Sequence, residues 1–379
     1  MKIAINCLLL DPHKAGIGTY IYSLLSQYFK YDLSNKNLDF FLQQRVSDFF
    51  GDNKNIRKVY FNINSNKKRI IYEQLLIPYI SRKYNYDVIH FTDYQIPLLM
   101  SRKGMILTVH DLSFLKEDDI FTKSSSLYKK FVLPSSLKKA DRIIAVSENT
   151  KKDILKYFPS INENKIVVIY EGTRFDDSKI YKYSTDVLLK YNIKDPYILY
   201  VGTIEPRKNI VNIIRAFKTI VAKNPNIKLV IVGKKGWLYD EIFNEVRNLS
   251  LENNIIFTGY VSDEDLPAFY KNAILFIYPS KYEGFGLPPL EAMSFGCPVI
   301  TSNISSLPEV VGDAGILVNP GSVEEISDAM NSILLNNDLR NDLSERSLKR
   351  AKMFSWDITA KATLKVYEDV FREISRRKN

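Results

Sequence analysis

The sequence predicts an α/β protein of two facing Rossmann-like domains, each a parallel sheet covered by helices. Three observations carry that prediction. Short apolar runs bounded by turn residues alternate with helical patterns, as in a sheet buried on both faces. The alternation runs through both halves, and no short-period repeat replaces it. At 379 residues the chain has the length of two ordinary domains.

Residues 3–10 read as the first strand. Residues 19–29 read as a helix, with Ile21, Leu24, Leu25 and Tyr28 at helical spacing. Further strands are expected at 38–43, 88–90, 105–109, 142–146 and 166–170. Helices are expected at 69–84 (interrupted by Pro78), 127–140 and 148–158. A polar stretch, 171–195, is expected to contain the hinge, and Pro196 opens the second set. Its strands fall at 197–201, 228–232, 255–258, 274–278, 298–301 and 315–318, and its helices at 209–223, 238–251, 262–272, 287–295 and 323–335. A last helix, 356–376, carries Ile358, Ala362, Val366, Val370 and Phe371. The expected organisation is therefore 1–180, 196–355 and a terminal helical segment, 356–379.

Composition excludes several classes. No apolar run approaches the roughly 20 residues that cross a bilayer. The opening segment is too short for a signal peptide with a cleavage site. Cys7 and Cys297 lie far apart, which argues against a disulfide framework or a zinc site. The only histidines are His13, His90 and His110, so a His-rich metal centre is not expected. A reducing cytoplasm is the simplest location. The net charge of +10 is uneven: residues 1–185 hold about 29 basic and about 19 acidic residues, and the remainder balances. That excess is either a soluble basic surface or an attraction to an anionic partner, a membrane face or a pyrophosphate-bearing acceptor. No nucleic-acid-binding motif accompanies it.

The most informative stretch is Glu283-Gly284-Phe285-Gly286-Leu287-Pro288-Pro289-Leu290-Glu291. An apolar strand precedes it, and a helix that tolerates proline in its first turn follows. Glu283 thus falls on the loop at a strand's carboxyl end and Glu291 about one turn into the helix. In an open α/β sheet that is where ligands bind. Helix N–H groups there would favour an anion, and the carboxylates would accept from hydroxyls. The site suits a ligand with both phosphates and hydroxyls, such as a nucleotide-sugar. Arg207 and Lys208, at another strand-to-helix corner, can clamp a diphosphate, although alone such a pair is usually surface charge. Gly16 and Gly18, after the first strand, form part of a Gly-rich phosphate loop, or merely a flexible turn. His110-Asp111 ends the 105–109 strand; a lone histidine there is more often structural, and a metal phosphohydrolase would need more histidines.

The run from Ser280 to Thr301, with Glu283, seven residues, Glu291, and a helix ending in Gly296-Cys297-Pro298, resembles the family-4 retaining glycosyltransferases of the GT-B fold. The resemblance covers nearly the whole chain, most specifically 197–320 and most loosely 32–86. It implies that Glu283 contacts donor-sugar hydroxyls, that Glu291 binds the ribose, and that Arg207 and Lys208 bind the diphosphate. It implies that Gly16 and Gly18 approach the phosphates or sugar, that His110 points at the donor sugar with Asp111 orienting it, and that Val261 touches the nucleobase. Gly284, Phe285, Gly286 and Leu287 complete the donor loop, and 356–376 matches the helix that returns to the first domain. Some members carry an Arg where this chain has Thr203, so donor contacts differ in detail. The implied activity is metal-independent, cofactor-free transfer of a hexose from a nucleoside diphosphate sugar, with GDP-mannose as first choice. The acceptor would be a glycan or lipid-linked hydroxyl, with contact to an anionic membrane. A GT-B epimerase or phosphorylase, or a non-catalytic nucleotide-binding scaffold, remains the alternative.

Overall fold

A computed structural model describes residues 1–11, 16–116, 123–175 and 185–376, apart from the side chains at 116 and 123–126. His13, Ala15, the middle of the expected hinge (176–184) and the last three residues lie outside the described residues. The chain forms two compact units: Met1–Arg174 with Ser355–Asn379, and Phe175–Phe354. The sequence reading placed the first boundary near 180 and opened the second domain at 196. Phe175 already packs on Tyr270 and Phe295 of the second unit, with ring centroids 6.1 and 5.1 Å away, so the change of unit comes earlier in the polar stretch.

In the first unit the strands are β1 (Lys2–Asn6), β2 (Asn37–Gln43), β3 (Ile56–Phe61), β4 (Val88–Phe91), β5 (Met105–Val109), β6 (Arg142–Ala145) and β7 (Ile166–Val168). They form one sheet in the order β3-β2-β1-β4-β5-β6-β7, every pair parallel. The second unit holds β8 (Tyr197–Val201), β9 (Lys228–Val232), β10 (Ile255–Gly259), β11 (Leu275–Tyr278), β12 (Val299–Ser302) and β13 (Gly315–Val318). Their order is β10-β9-β8-β11-β12-β13, again all parallel. Both sheets reverse direction of growth beside their first strand, β1/β4 and β8/β11. At such a reversal the crossovers depart to opposite sides and leave room at the strands' carboxyl ends. Central strands are apolar on both faces, with Ile3, Ile5, Ile89 and Leu107 in one core and Leu199, Ile231, Phe276 and Ile300 in the other.

Three differences from the sequence reading have physical causes. β1 stops at Asn6, because residues 7–10 turn away and Gln43 Nε2 donates to the Leu8 carbonyl at 2.6 Å. β3 was not foreseen: it is an edge strand with Arg57 and Lys58 at its second and third positions, charges that guard an edge but hide the strand. Helix Asn337–Ala351 was missed because its buried stripe is Leu343, Ser347 and Ala351, too polar to register as an apolar face. The terminal helix Trp356–Arg376 belongs to the first unit, where Tyr367 hydroxyl meets His90 Nδ1 at 2.6 Å and Tyr31 donates to Asp357 at 2.8 Å.

Candidate functional site

In the second unit the loops after β8 and β11 meet at the sheet's reversal point. Pro206–Lys208 makes a single tight turn, and Asn209 follows in the left-handed conformation at φ 61°. Asn209 Nδ2 donates to the carbonyls of Pro279 (3.1 Å) and Pro320 (2.7 Å), joining three strand ends. Lys281 N donates to the Arg207 carbonyl at 2.9 Å, which locks the two loops together.

This framework brings Arg207, Lys208 and Glu283 into one buried cluster. Lys208 Nζ lies 2.6 Å from both Glu283 Oε1 and the Tyr278 hydroxyl. Arg207 Nη1 lies 3.1 Å from Glu283 Oε2 and donates to the Tyr282 carbonyl at 2.6 Å. Its Nη2 donates to Glu205 Oε1 at 2.8 Å. Ser280 Oγ and Tyr278 hydroxyl also donate to Glu283 Oε1, at 2.6 and 3.1 Å. Burial would raise the Glu283 carboxyl, but Arg207 and Lys208 outweigh it and hold it at about 2. Burial, with Arg207 beside it, lowers the Lys208 ammonium despite Glu283 and Glu205. Two cations and two carboxylates therefore balance, and a diphosphate could engage the cations by exchanging with the carboxylates.

Glu291 sits in helix Leu287–Ser294 and accepts from the Tyr270 hydroxyl at 2.9 Å. Gly286 starts that helix at φ 121°, and a Cβ there would come within 2.8 Å of Leu307. Few of the helix N–H groups expected to favour an anion are available in this turn. Pro288 and Pro289 have no N–H, and Leu290 N donates to Gly286 O, so this turn can offer the amides of Gly286 and Leu287. Gly284 belongs to the same loop, and Phe285 turns inward, its ring 5.9 Å from Phe354. Val261 is buried beyond β10, and the exposed side chain at that corner is Tyr260, with Lys234 Nζ 4.8 Å from its ring.

In the first unit, Gly16 caps helix Ile17–Tyr28 at φ 54°, and Gly18 is buried in its first turn. That helix carries Tyr20, whose ring meets His110 edge-on at 4.7 Å, so the helix that Gly16 opens packs against the histidine. His110 Nδ1 lies 3.3 Å from Glu171, and Nε2 lies 3.0 Å from the Thr92 carbonyl. Both partners are acceptors, so an imidazolium satisfies both contacts and a neutral ring only one. Burial works against that charge, but Glu171 and the Thr92 carbonyl prevail and raise the His110 pKa. Asp111 was expected to orient the imidazole. The carboxylate bonded to it is Glu171, whereas Asp111 Oδ1 accepts from Ser113 N (2.9 Å) and Oγ (2.6 Å), capping a short helix.

Sequence reasoning missed Glu171, Glu205, Tyr278 and the Gly233-Lys234-Lys235-Gly236 loop. The last was legible as a Gly-flanked lysine pair directly after an apolar strand. Gly233 (φ 150°) lies so close to the β8 loop that a Cβ would come 1.9 Å from the Gly202 carbonyl oxygen. Ile204 N donates to Lys234 O at 2.9 Å, and Gly236 N to Ile204 O at 3.0 Å.

Two parallel-sheet α/β units, each sheet reversing beside its first strand, have the architecture of the GT-B class. The model described as "Glycosyl transferases group 1" matches residues 189–350, and that described as "Glycosyltransferase Family 4" matches 35–176. The O-antigen chain mannosyltransferase B of Escherichia coli is 36% identical over 294 residues, 76% of this chain and 75% of the relative. The O-antigen chain mannosyltransferase RfbU of Salmonella typhimurium is 30% identical over 249 residues, 66% of this chain and 65% of the relative. Against the serotype-specific mannosyltransferase WbdA of E. coli the match spans 28% of that longer protein. The chain belongs to glycosyltransferase family 4. Among solved structures, sucrose-phosphate synthase from Thermosynechococcus elongatus superimposes with a TM-score of 0.75 at 21% identity, covering 98% of this chain and 100% of the other. An Anabaena protein, HepE, solved with UDP and glucose, gives 0.73 at 17%, covering 97% and 99%.

Proposed function

We propose that this glycosyltransferase is a retaining mannosyltransferase that uses GDP-mannose and needs no metal. The observation that carries the reading is the Arg207–Lys208–Glu283 cluster at the β8/β11 reversal. As the glycosidic bond breaks, negative charge grows on the departing diphosphate. Arg207 and Lys208 are placed to stabilise it, in the role a metal would otherwise fill. Glu283 holds sugar hydroxyls, Glu291 takes the ribose, and His110 contacts the donor sugar. The names of the O-antigen relatives favour mannose, and HepE with UDP and glucose keeps a UDP-sugar as the alternative.

The acceptor in this reading is a glycan or lipid-linked hydroxyl at the inner face of a membrane, touched peripherally. Two features support that contact. Ile71, Leu75 and Tyr79 are exposed along one helix face, and Leu99, Leu127 and Phe131 are exposed on neighbouring elements. Lys67, Arg82 and Lys83 are exposed on the same helix, within the half that carries the excess charge. Among the described residues no helix is long and apolar enough to cross a membrane.

A thermal-shift screen of GDP, UDP and dTDP with their sugars, followed by mass measurement of products, tests the donor. GDP and GDP-mannose should stabilise the protein and Glu283→Ala should abolish transfer. Stabilisation by none of the three nucleotides, or undiminished transfer by Glu283→Ala, would overturn the reading.

A further inference from the structure

One residue bonded to the Arg207–Lys208–Glu283 cluster stands in a conformation its side chain disfavours. Ser305, on the loop between β12 and helix Leu307–Val311, has φ 63°. A residue with a Cβ is strained in that left-handed region, and glycine is not. Such strain persists where the surroundings hold it, and it gathers at functional sites.

The Ser305 hydroxyl shows what holds it. Its Oγ accepts from Glu283 N at 3.0 Å and donates to Glu283 O at 2.6 Å. One side chain thus grips both backbone polar groups of a residue 22 positions away. The next serine takes the following turn, with Ser306 Oγ 2.7 Å from the Phe285 carbonyl. It also lies 3.0 Å from Glu283 O, but it has one proton to give, and that carbonyl already receives the proton of Ser305. Ser302 and Thr301, on β12, donate to the carbonyls of Ser280 (2.7 Å) and Tyr278 (2.8 Å). Four hydroxyls of the 301–306 segment therefore bind the backbone of residues 278–285.

The two oxygens of the Glu283 side chain are not equivalent. Oε1 receives Lys208 Nζ, the Tyr278 hydroxyl and Ser280 Oγ. Among the described residues, the partner of Oε2 is Arg207 Nη1 at 3.1 Å. A carboxylate oxygen offers about two lone-pair sites, so Oε1 is filled and Oε2 keeps room for a further donor. The backbone clamp and the filled Oε1 together fix where Oε2 points.

We propose that Ser305 is a positioning residue, whose hydroxyl fixes the Glu283 backbone so that Oε2 is presented to a hydroxyl of the donor sugar. The identity of that ligand as a sugar rests on the donor reading above, and the clamp rests on geometry.

Two variants separate the strain from the hydroxyl. Ser305→Gly removes the hydroxyl and relieves the backbone; Ser305→Ala removes the hydroxyl and keeps the strain. Stability should follow the backbone, with the Gly variant melting within about 2 °C of wild type and the Ala variant about 2 to 4 °C lower. Turnover should follow the hydroxyl. In both variants kcat for release of GDP from GDP-mannose, by transfer or hydrolysis, should fall about ten- to a hundredfold, with KM changed less than about threefold. UDP-glucose is run in parallel. Amide exchange at Glu283, measured without any donor, should quicken about tenfold in both. A merely structural serine would lower both melting temperatures and leave kcat of the folded protein unchanged. Wild-type kcat in Ser305→Gly, or unchanged Glu283 exchange in both variants, overturns the assignment. Should Ser305→Ala fail to fold, Ser305→Gly decides by itself. Absence of turnover by the wild type with either donor, together with faster exchange in the variants, would count against the donor reading and leave the clamp standing.

Discussion

Glu283 shows how neighbours set the chemistry of one side chain. A carboxylate at 8% exposure would be costly if unpaired, and Arg207, Lys208, Ser280 and Tyr278 supply the pairing. Its folded pKa of about 2 lies below the 4.5 of an unperturbed glutamate. The ionised form therefore stabilises the fold above pH 4.5, and that contribution is lost as pH falls through 4.5 toward 2, about 3 kcal/mol in all. Glu283→Gln should make the decline of unfolding free energy over that window shallower. It should also lower stability at neutral pH by about 3 kcal/mol, because Lys208 stays buried opposite an uncharged amide. Urea unfolding across pH measures both, and an unaltered acid slope would contradict the assignment. That Glu283 lies on the loop after a strand and Glu291 in the helix that follows was legible in the sequence. That the first pairs with both cations was not, because 75 residues separate Lys208 from Glu283.

Among the elements, the strands of the second unit were the most legible, since 197–201, 228–232 and 315–318 are apolar runs ended sharply by glycine or polar residues. β3 and helix Asn337–Ala351 were hidden because an edge position and a thin buried stripe need little apolar surface. The β8 and β9 loops illustrate a different limit: their contact depends on the absence of a single Cβ. Gly233→Ala would drive that atom into the Gly202 carbonyl and separate the loop carrying Lys234 from the one leading to Arg207. The expected loss is about 2 to 3 kcal/mol by thermal or chemical unfolding, with weaker nucleotide binding. An unchanged melting temperature would show that the loops part without cost.

At the scale of the whole molecule, the first unit carries both the charge excess and a helix face of exposed apolar side chains. The +10 excess belongs to residues 1–185, and that region also exposes Ile71, Leu75, Tyr79 and Phe131. Phosphatidylglycerol-containing vesicles should therefore sediment the wild-type protein, less so as salt rises. A Leu75→Glu/Phe131→Glu variant should remain in the supernatant, and reversal of Lys67 and Lys68 to Glu should weaken binding in part. Equal sedimentation of wild type and the double variant would remove the membrane from the proposal.

Local pattern was enough to specify two parallel sheets, most of their strands, and the loops or helix on which Glu283, Glu291, Arg207, Lys208 and His110 lie, because apolar runs and turn residues act over a few positions. Long-range assembly settled the rest. It paired His110 with Glu171 rather than Asp111, folded Arg207 and Lys208 onto Glu283, and brought the Ser305 hydroxyl against the Glu283 backbone. Each of those outcomes depends on the desolvation and partnering of groups far apart in the chain, and a buried charge finds its partner by proximity in space, which spacing along the chain does not encode.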